Sequence, residues 1–551
     1  MKLIDVKNFS FNYPGQPPLI QEVSFGIESG SFNLLLGLNG SGKTTLIQHL
    51  TPTFIKHGKH QGDVLFHGTP LEDSPQEKIG YVMQHPDHQI VTDKVWHELA
   101  FGLENLGLSS AEIRQRVAEI VNFFGMNQWF EQDIATLSGG QKQLLTLAST
   151  VIMNPEFLIL DEPTAQLDPI ATDNFIQMLH KLNHELGITI LITEHDISRI
   201  LPFTDKIMVL EEGRLIIDAP LHEAITEIFA QAPYLNEILP AAAQLSHEWS
   251  KDTYPLPLSV SEGKTWLAQQ AKVHNSTKTP SIFEQENNKI SQDTKSTPLI
   301  EAKHLWFGYE TDADTIRDLS LTINQGETIM LLGANGSGKS TLMKLLLGQA
   351  FAYRGKLLLS GHALKTKQQV RDYQTKIGYL PQDPTTLFLK DTVLDDLLNG
   401  AKDEQTKQTV LAGLDSFGLG SLVNNNPFDL SGGQQQLLGL LKVLLRKPQI
   451  LFVDEPTKGL DAKAKQLVTN IFASLHDQGL TIVMITHDID FAAKNATRVG
   501  LFFNGDVTSC MERHAFFATN NFYTTEASRI SRDYFSNAIT VDEVLTCLKQ
   551  K

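Results

Sequence analysis

Short, nearly unbroken apolar runs recur along the chain in two matching series. Phe32 to Leu36, Phe157 to Leu160 and Ile188 to Ile192 form the first; Ile329 to Leu332, Ile450 to Val453 and Leu480 to Ile485 form the second. Runs this short and continuous suit strands buried on both faces of a parallel sheet. Helical patterns lie between them. Leu144, Leu147, Ala148, Val151 and Ile152 fall at helical spacing, and the pattern stops at Asn154-Pro155, where proline cannot continue a helix. The alternation predicts an α/β architecture, with the chemistry carried by loops at the carboxyl ends of the strands.

The two series are copies in register. The eight residues Gly37-Leu38-Asn39-Gly40-Ser41-Gly42-Lys43-Thr44 return as Gly333-Ala334-Asn335-Gly336-Ser337-Gly338-Lys339-Ser340, followed by Thr45 and Thr341. The lysines are 296 residues apart, as are Tyr13 and Tyr309, and the strand-end aspartates Asp161 and Asp454 are 293 apart. Between the copies, residues 274 to 298 hold few apolar side chains and no clear period, which reads as a polar tether. The division expected is a first domain over 1–245, a linker over 246–298, a second domain over 299–512 and a C-terminal extension over 513–551.

Composition narrows the function. A chain of 551 residues is too long for one core and suits two domains. Its 63 acidic residues against 46 Lys and Arg give a net charge of -17, the wrong sign for tracking a nucleic acid backbone. The only cysteines, Cys510 and Cys547, lie near the end, so no disulfide framework is expected and a reducing cytosol fits. The first residues lack the basic segment and apolar core of a signal peptide. No uncharged apolar run approaches the ~18 residues that a membrane span requires. Any membrane work would need spans from another chain.

The repeated Gly-rich loop has the full pattern of a phosphate cradle. Its glycines let successive N–H groups face an anion, and the helix that follows adds its positive end. Lys43 and Lys339 would reach the β and γ phosphates of a nucleotide, and the Thr44 and Ser340 hydroxyls would ligate Mg²⁺. Asp161 and Asp454 end apolar strands, placing a carboxylate near that metal. Glu162 and Glu455 come next, where a carboxylate could orient and polarise an attacking water as general base. Each half also carries a Ser-Gly-Gly-Gln at a helix start, Ser138-Gly139-Gly140-Gln141 and Ser431-Gly432-Gly433-Gln434. Such a start offers N–H donors and a positive dipole to an anion.

With the preceding Leu137 and Leu430, these segments match the signature of ATP-binding-cassette (ABC) ATPases, and the chain resembles that family across both halves. The resemblance implies two tandem P-loop domains, each with a mainly parallel sheet, an antiparallel β part and a helical signature subdomain. It implies Q-loop glutamines at Gln84 and Gln382, contributing to the metal site, and switch histidines at His195 and His487. It also implies adenine-stacking rings at Tyr13 and Tyr309 and D-loop aspartates at Asp168 and Asp461. In the family, each ATP is held between the P-loop of one cassette and the signature of the other. One site would then join Lys43, Thr44, Gln84, Asp161, Glu162 and His195 with Ser431, Gly433 and Gln434. The second would join Lys339, Ser340, Gln382, Asp454, Glu455 and His487 with Ser138, Gly140 and Gln141. Both glutamates and both histidines are present, so both sites are expected to hydrolyse ATP. Leu144 and Leu437 stand where the family usually has arginine.

Gln84-His85-Pro86-Asp87-His88-Gln89-Ile90-Val91, with Val95 and the run Glu98 to Gly107, resembles the energy-coupling-factor (ECF) ATPases of bacterial vitamin and metal-ion importers. The tail, Asn521 to Thr525 with Ala538 to Glu543, resembles fused double ATPases of hydroxymethylpyrimidine or thiamine uptake. The resemblance implies a peripheral protein on the cytoplasmic face of a bacterial membrane, partnered by a membrane scaffold (T component) and a substrate-capturing membrane protein (S component). The competing class is the soluble tandem ABC ATPase that acts on ribosomes. Its linker is typically helical and charged and its surface basic, unlike this acidic chain. A fused sugar-importer ATPase usually has one degenerate site, and no such decay is visible here. Nothing in the sequence identifies the solute.

Overall fold

The computed structural model describes residues 2–54, 57–165, 167–251, 253–273, 298–309, 313–334, 336–363, 367–401 and 403–550. All of the expected tether except Pro298 lies outside these residues, as does the P-loop residue Asn335. The chain divides into two compact units, 1–240 and 241–551.

The first unit has ten strands: β1 (Lys2–Asn12), β2 (Ile20–Glu28), β3 (Phe32–Leu36), β4 (Lys59–Phe66), β5 (Thr69–Pro70), β6 (Ile79–Val82), β7 (Phe157–Asp161), β8 (Thr189–Thr193), β9 (Lys206–Glu211) and β10 (Arg214–Pro220). One antiparallel sheet runs β2-β1-β4-β5, and a six-stranded sheet runs β10-β9-β3-β8-β7-β6. All neighbours in the larger sheet are parallel except β10 with β9. The three apolar runs of the first half became β3, β7 and β8, and every residue in these strands is buried. Phe11, Phe25 and Ile27 of the smaller sheet pack with Leu35, Leu46, Ile47, Ile159 and Leu191 in one core. Removing such side chains from water is the main stabilising term.

The parallel order sets the site. Because β8 lies between β3 and β7, with Asp161 opposite Thr193, the loops that leave β3, β7 and β8 emerge side by side. The helices Val95–Asn105, Ser110–Phe124 and Gly139–Val151 pack on one another as a separate lobe. In the signature helix, Leu147, Ala148 and Val151 are buried as the spacing predicts. Leu145 takes the place on that face assigned to Leu144, which is only half-buried.

The second unit repeats the plan with β11 (Pro298–Phe307), β12 (Ile316–Asn324), β13 (Thr328–Leu332), β14 (Arg354–Leu359), β15 (His362–Ala363), β16 (Ile377–Leu380), β17 (Ile450–Asp454), β18 (Thr481–Ile485), β19 (Arg498–Phe503) and β20 (Asp506–Glu512). The orders are β12-β11-β14-β15 and β16-β17-β18-β13-β19-β20.

This unit also contains a helical module that the sequence reading divides among the end of the first domain, the linker and the tail. Ala241–Trp249 and Val260–Val273, the latter inside the stretch read as polar linker, pack with Glu526–Ser531 and Val541–Lys549. Leu245, Trp266, Leu267, Ile530, Phe535, Val544 and Leu548 form its core. Each helix supplies one apolar face, and the face of Val260–Val273 is covered by residues far later in the chain. Its local pattern alone therefore reads as surface.

Candidate functional site

The Gly-rich loops have the shape of phosphate cradles. A Cβ on Gly37 would fall 2.3 Å from the Leu210 carbonyl oxygen, and one on Gly333 would fall 2.4 Å from that of Phe502, so backbone passes where any side chain would stand. Gly42 and Gly338 open the next helices at φ 100° and 112°, in the left-handed region that glycine tolerates. Lys43 Nζ donates to the carbonyls of Gly37 (2.8 Å) and Leu38 (3.2 Å), and Lys339 Nζ to those of Gly333 (2.7 Å) and Ala334 (2.8 Å). The Ser41 and Ser337 hydroxyls are buried without a hydrogen-bond partner. Buried polar atoms rarely go unpaired, and an orphan hydroxyl in each cradle beside a buried ammonium fits an anionic occupant. Gly40 and Gly336 face open space at φ 80° and 74°; Asn39, Thr45 and Thr341 belong to the same segments.

At the end of β7, Asp161 accepts hydrogen bonds from Thr44 (3.3 Å), Thr193 (3.0 Å) and Tyr81 (3.1 Å). Burial and then the Glu162 carboxylate push the Asp161 carboxyl up, against the pull of these hydroxyls. Thr44 and Asp161, both expected at the metal, are thus adjacent oxygen donors, the ligand type that Mg²⁺ takes. The sequence pointed to neither Tyr81 nor Thr193. A signal for Tyr81 existed, since a tyrosine stands three residues before each Q-loop glutamine, Tyr81 and Tyr379.

Glu162 sits at φ 44° and Glu455 at φ 51°, so both copies hold this side chain on a left-handed backbone that L-residues rarely adopt. The Glu162 N–H donates to the Thr193 backbone oxygen (3.1 Å) and hydroxyl (3.0 Å). Gln84 Nε2 donates to Glu162 Oε2 (2.8 Å), and His195 Nε2 stands 2.9 Å from Oε1, at ion-pair distance but off the hydrogen-bond axis. Burial acts to raise the Glu162 carboxyl, but the His195 contact and the charges of Lys43 and His85 outweigh it and the net shift is downward. A carboxylate held ionised between a glutamine and a histidine, beside the phosphate cradle, has the chemistry of a water-orienting base.

The second site is built differently in detail. His487 Nε2 stands 3.1 Å from Glu455 Oε1, and the His487 N–H donates to Oε2 (3.1 Å). Burial pushes Glu455 up to about 8 and also raises Asp454. Asp454 receives no hydrogen bond from Ser340 or Tyr379 among the described residues, and the position of Thr193 is taken by Ile485. Gln382 is exposed, and among the described residues it makes no hydrogen bond to Glu455 such as Gln84 makes to Glu162. Lys458 stands where the first half has Ala165, and burial lowers its ammonium.

Ser138 and Ser431 are N-caps of the signature helices Gly139–Val151 and Gly432–Leu444. Each hydroxyl accepts from the N–H of Gln141 (3.3 Å) or Gln434 (3.4 Å), whose side-chain oxygen accepts the serine N–H in return. Gly139 and Gly432 are exposed at the helix starts; a Cβ on Gly140 would touch Ala171, and Gly433 is buried. Asp168 and Asp461 cap the helices that follow, accepting from Ala171 and Ala464 at 2.8 Å. Tyr13 is half-buried, edge-on to Phe11, with its hydroxyl 3.5 Å from Thr45. Tyr309 is 60% exposed, with its hydroxyl 3.4 Å from Thr341 and Lys344 over the ring.

Two parallel-sheet units, each with a phosphate cradle, a strand-end Asp-Glu and a capped Ser-Gly-Gly helix, define a tandem P-loop nucleotide-binding protein. The ABC transporter profile matches residues 20–165 and 316–458. A protein of Bacillus thuringiensis subsp. konkukian named "Putative ABC transporter ATP-binding protein" is 39% identical over 98% of this chain and 97% of its own. One of the same name from Methanosarcina mazei is 30% identical over 92% of this chain and 88% of its own. A solved structure, cbiO1 from Clostridium perfringens, described as part of the ABC transporter complex cbiONQ, is 32% identical, with a TM-score of 0.38, over 42% of this chain and 96% of its own. The chain belongs to the ABC transporter ATP-binding proteins and is an ATPase.

Proposed function

We propose that the chain powers an ECF-type importer of a micronutrient such as a vitamin, a vitamin precursor or a metal ion, working with separate membrane subunits. The observation that carries this reading is the stretch Gln84 to Val91 with Glu98 to Gly107, whose ECF-like sequence forms the loop and helix beside the Q-loop glutamine. Val91 is 63% exposed and Leu389, seven residues after the second glutamine as Val91 is after the first, is 72% exposed. Exposed apolar residues at equivalent places beside both Q-loops suit docking to apolar segments of membrane partners. Among the described residues no helix is long and apolar enough to cross a membrane, so the proposal assigns the spans to other chains, a T and an S component.

In this reading Glu162 and Glu455 are the general bases, with His195 and His487 positioned on them. Thr44, Gln84 and Asp161 at one site, and Ser340, Gln382 and Asp454 at the other, would hold Mg²⁺. That ion would neutralise charge on the β and γ phosphates. Tyr13 and Tyr309 would carry the adenine, and each P-loop would be completed by the signature of the other cassette. ATP binding and phosphate release would then close and reopen the pair.

The test is fractionation of cells with and without a co-expressed T-type membrane scaffold. The chain is expected in the membrane fraction only with the scaffold, and Val91→Asp together with Leu389→Asp should reduce that share at unchanged ATP affinity. Sedimentation with ribosomes instead would replace this reading by the soluble tandem class.

A further inference from the structure

Three successive residues leave the end of β8, and each reaches the turn that carries Glu162. Thr193 holds the Glu162 N–H and the Asp161 carboxylate, and His195 stands against the Glu162 carboxylate. Between them, Glu194 is 4% exposed, and its Oε1 accepts the Thr164 N–H at 2.8 Å. Thr164 lies within the turn from Glu162 to Asp168. That turn closes on itself through Ala165 N–H to Glu162 O (3.3 Å) and Leu167 N–H to Thr164 O (2.9 Å).

A buried carboxyl is costly unless it is hydrogen-bonded, and here the donor belongs to the segment that must hold a strained residue in place. Burial pushes Glu194 up to about 8, with the charges of Glu162 and Asp196 adding to it, so the group works as a neutral acceptor rather than as a counter-ion. The second cassette lacks the device. Its counterpart is Thr486, whose hydroxyl accepts the Asp488 N–H at 3.0 Å, within its own segment. There the contacts from β18 to the Glu455 turn include the Ile485 carbonyl, accepting the Glu455 N–H at 2.9 Å, and those of His487.

We propose that Glu194 is a positioning residue of the first ATP site alone: it ties the turn after Glu162 to the strand end that carries His195, and so fixes the Glu162 carboxylate for water activation. The inference rests on the general-base reading of Glu162. It makes the two sites unequal in construction and places first-site turnover under the control of a buried side chain that lies outside the P-loop and the strand-end Asp-Glu pair.

The experiment measures kcat, KM for ATP and the thermal midpoint for Glu194→Ala and Glu194→Gln in the full chain carrying Glu455→Gln, where turnover reports the first site. Glu194→Ala is expected to lower kcat about tenfold, with KM within about twofold, because a displaced base loses orientation and not substrate binding. Glu194→Gln keeps the accepting oxygen and should restore kcat. In the chain carrying Glu162→Gln instead, where the second site turns over, Glu194→Ala should change nothing. If Glu455→Gln alone stops both sites, the series is read in the otherwise unaltered chain, where such coupling carries the full loss into kcat. An unchanged kcat in Glu194→Ala, a loss that Gln does not restore, or a fall in thermal midpoint with a matching rise in KM would overturn the proposal. Full turnover in a chain carrying both Glu162→Gln and Glu455→Gln would overturn the general-base reading instead, so the two failures are distinguishable.

Discussion

At the residue scale, the two sites share their residue types and differ in what holds them. Asp161 is fixed by three hydroxyls, whereas Asp454 has Ile485 beside it in place of Thr193. Tyr81→Phe removes one hydrogen bond to a buried carboxylate and is expected to destabilise the chain by about 1 to 3 kcal/mol. Tyr379→Phe should cost much less, because the Tyr379 hydroxyl makes no such bond. Urea unfolding of the two variants checks this, and equal losses would contradict the asymmetry. The residues that recur in both halves were legible: Lys43, Thr44, Asp161, Glu162 and His195 come together around one loop cluster as their motifs imply. Thr193 was not, because it does not recur and acts from a strand whose pairing with β7 only the fold reveals. Gln382 shows the reverse, a motif residue that its own cassette leaves exposed, with no hydrogen bond to Glu455 among the described residues.

Among the elements, the six apolar runs became strands within a residue or so of their expected bounds, since a strand buried on both faces leaves an unbroken apolar record. The helical module of the second unit was not legible, because its core is shared between 241–267 and 527–548. One joint ties it to the cassette. His514, in Arg513–Thr519, lies between Glu512 (3.1 Å) and Glu543 (3.1 Å), and Glu543 also accepts the N–H of Ile539 (2.7 Å) and Thr540 (3.2 Å). Burial acts to lower the His514 imidazole, but the two carboxylates overcome it and raise it to about 9. A folded-state value above the unfolded one contributes stability that is fully present below about 6.5 and is lost as pH rises through about 9. Hydrogen exchange of Val541–Lys549 should therefore speed up between those pH values, beyond the intrinsic rise in exchange rate. His514→Gln should remove that dependence. A pH-independent protection factor in the unsubstituted chain would show that the joint is held otherwise.

For the whole molecule, the repeat is the main functional fact. Two units of one topology each carry a cradle, a strand-end carboxylate pair and a histidine on the second carboxylate. The acidic balance and the repeat were both readable from the sequence, whereas nothing in the sequence identified the solute. The claim on which the rest depends is that Glu162 and Glu455 activate water at two working sites. The most direct measurement compares ATP binding and steady-state turnover in the purified chain carrying Glu162→Gln and Glu455→Gln together. The amides keep the shape and lose the base, so binding should stay within about threefold while turnover falls at least about a hundredfold. Turnover near the parental rate would contradict the account.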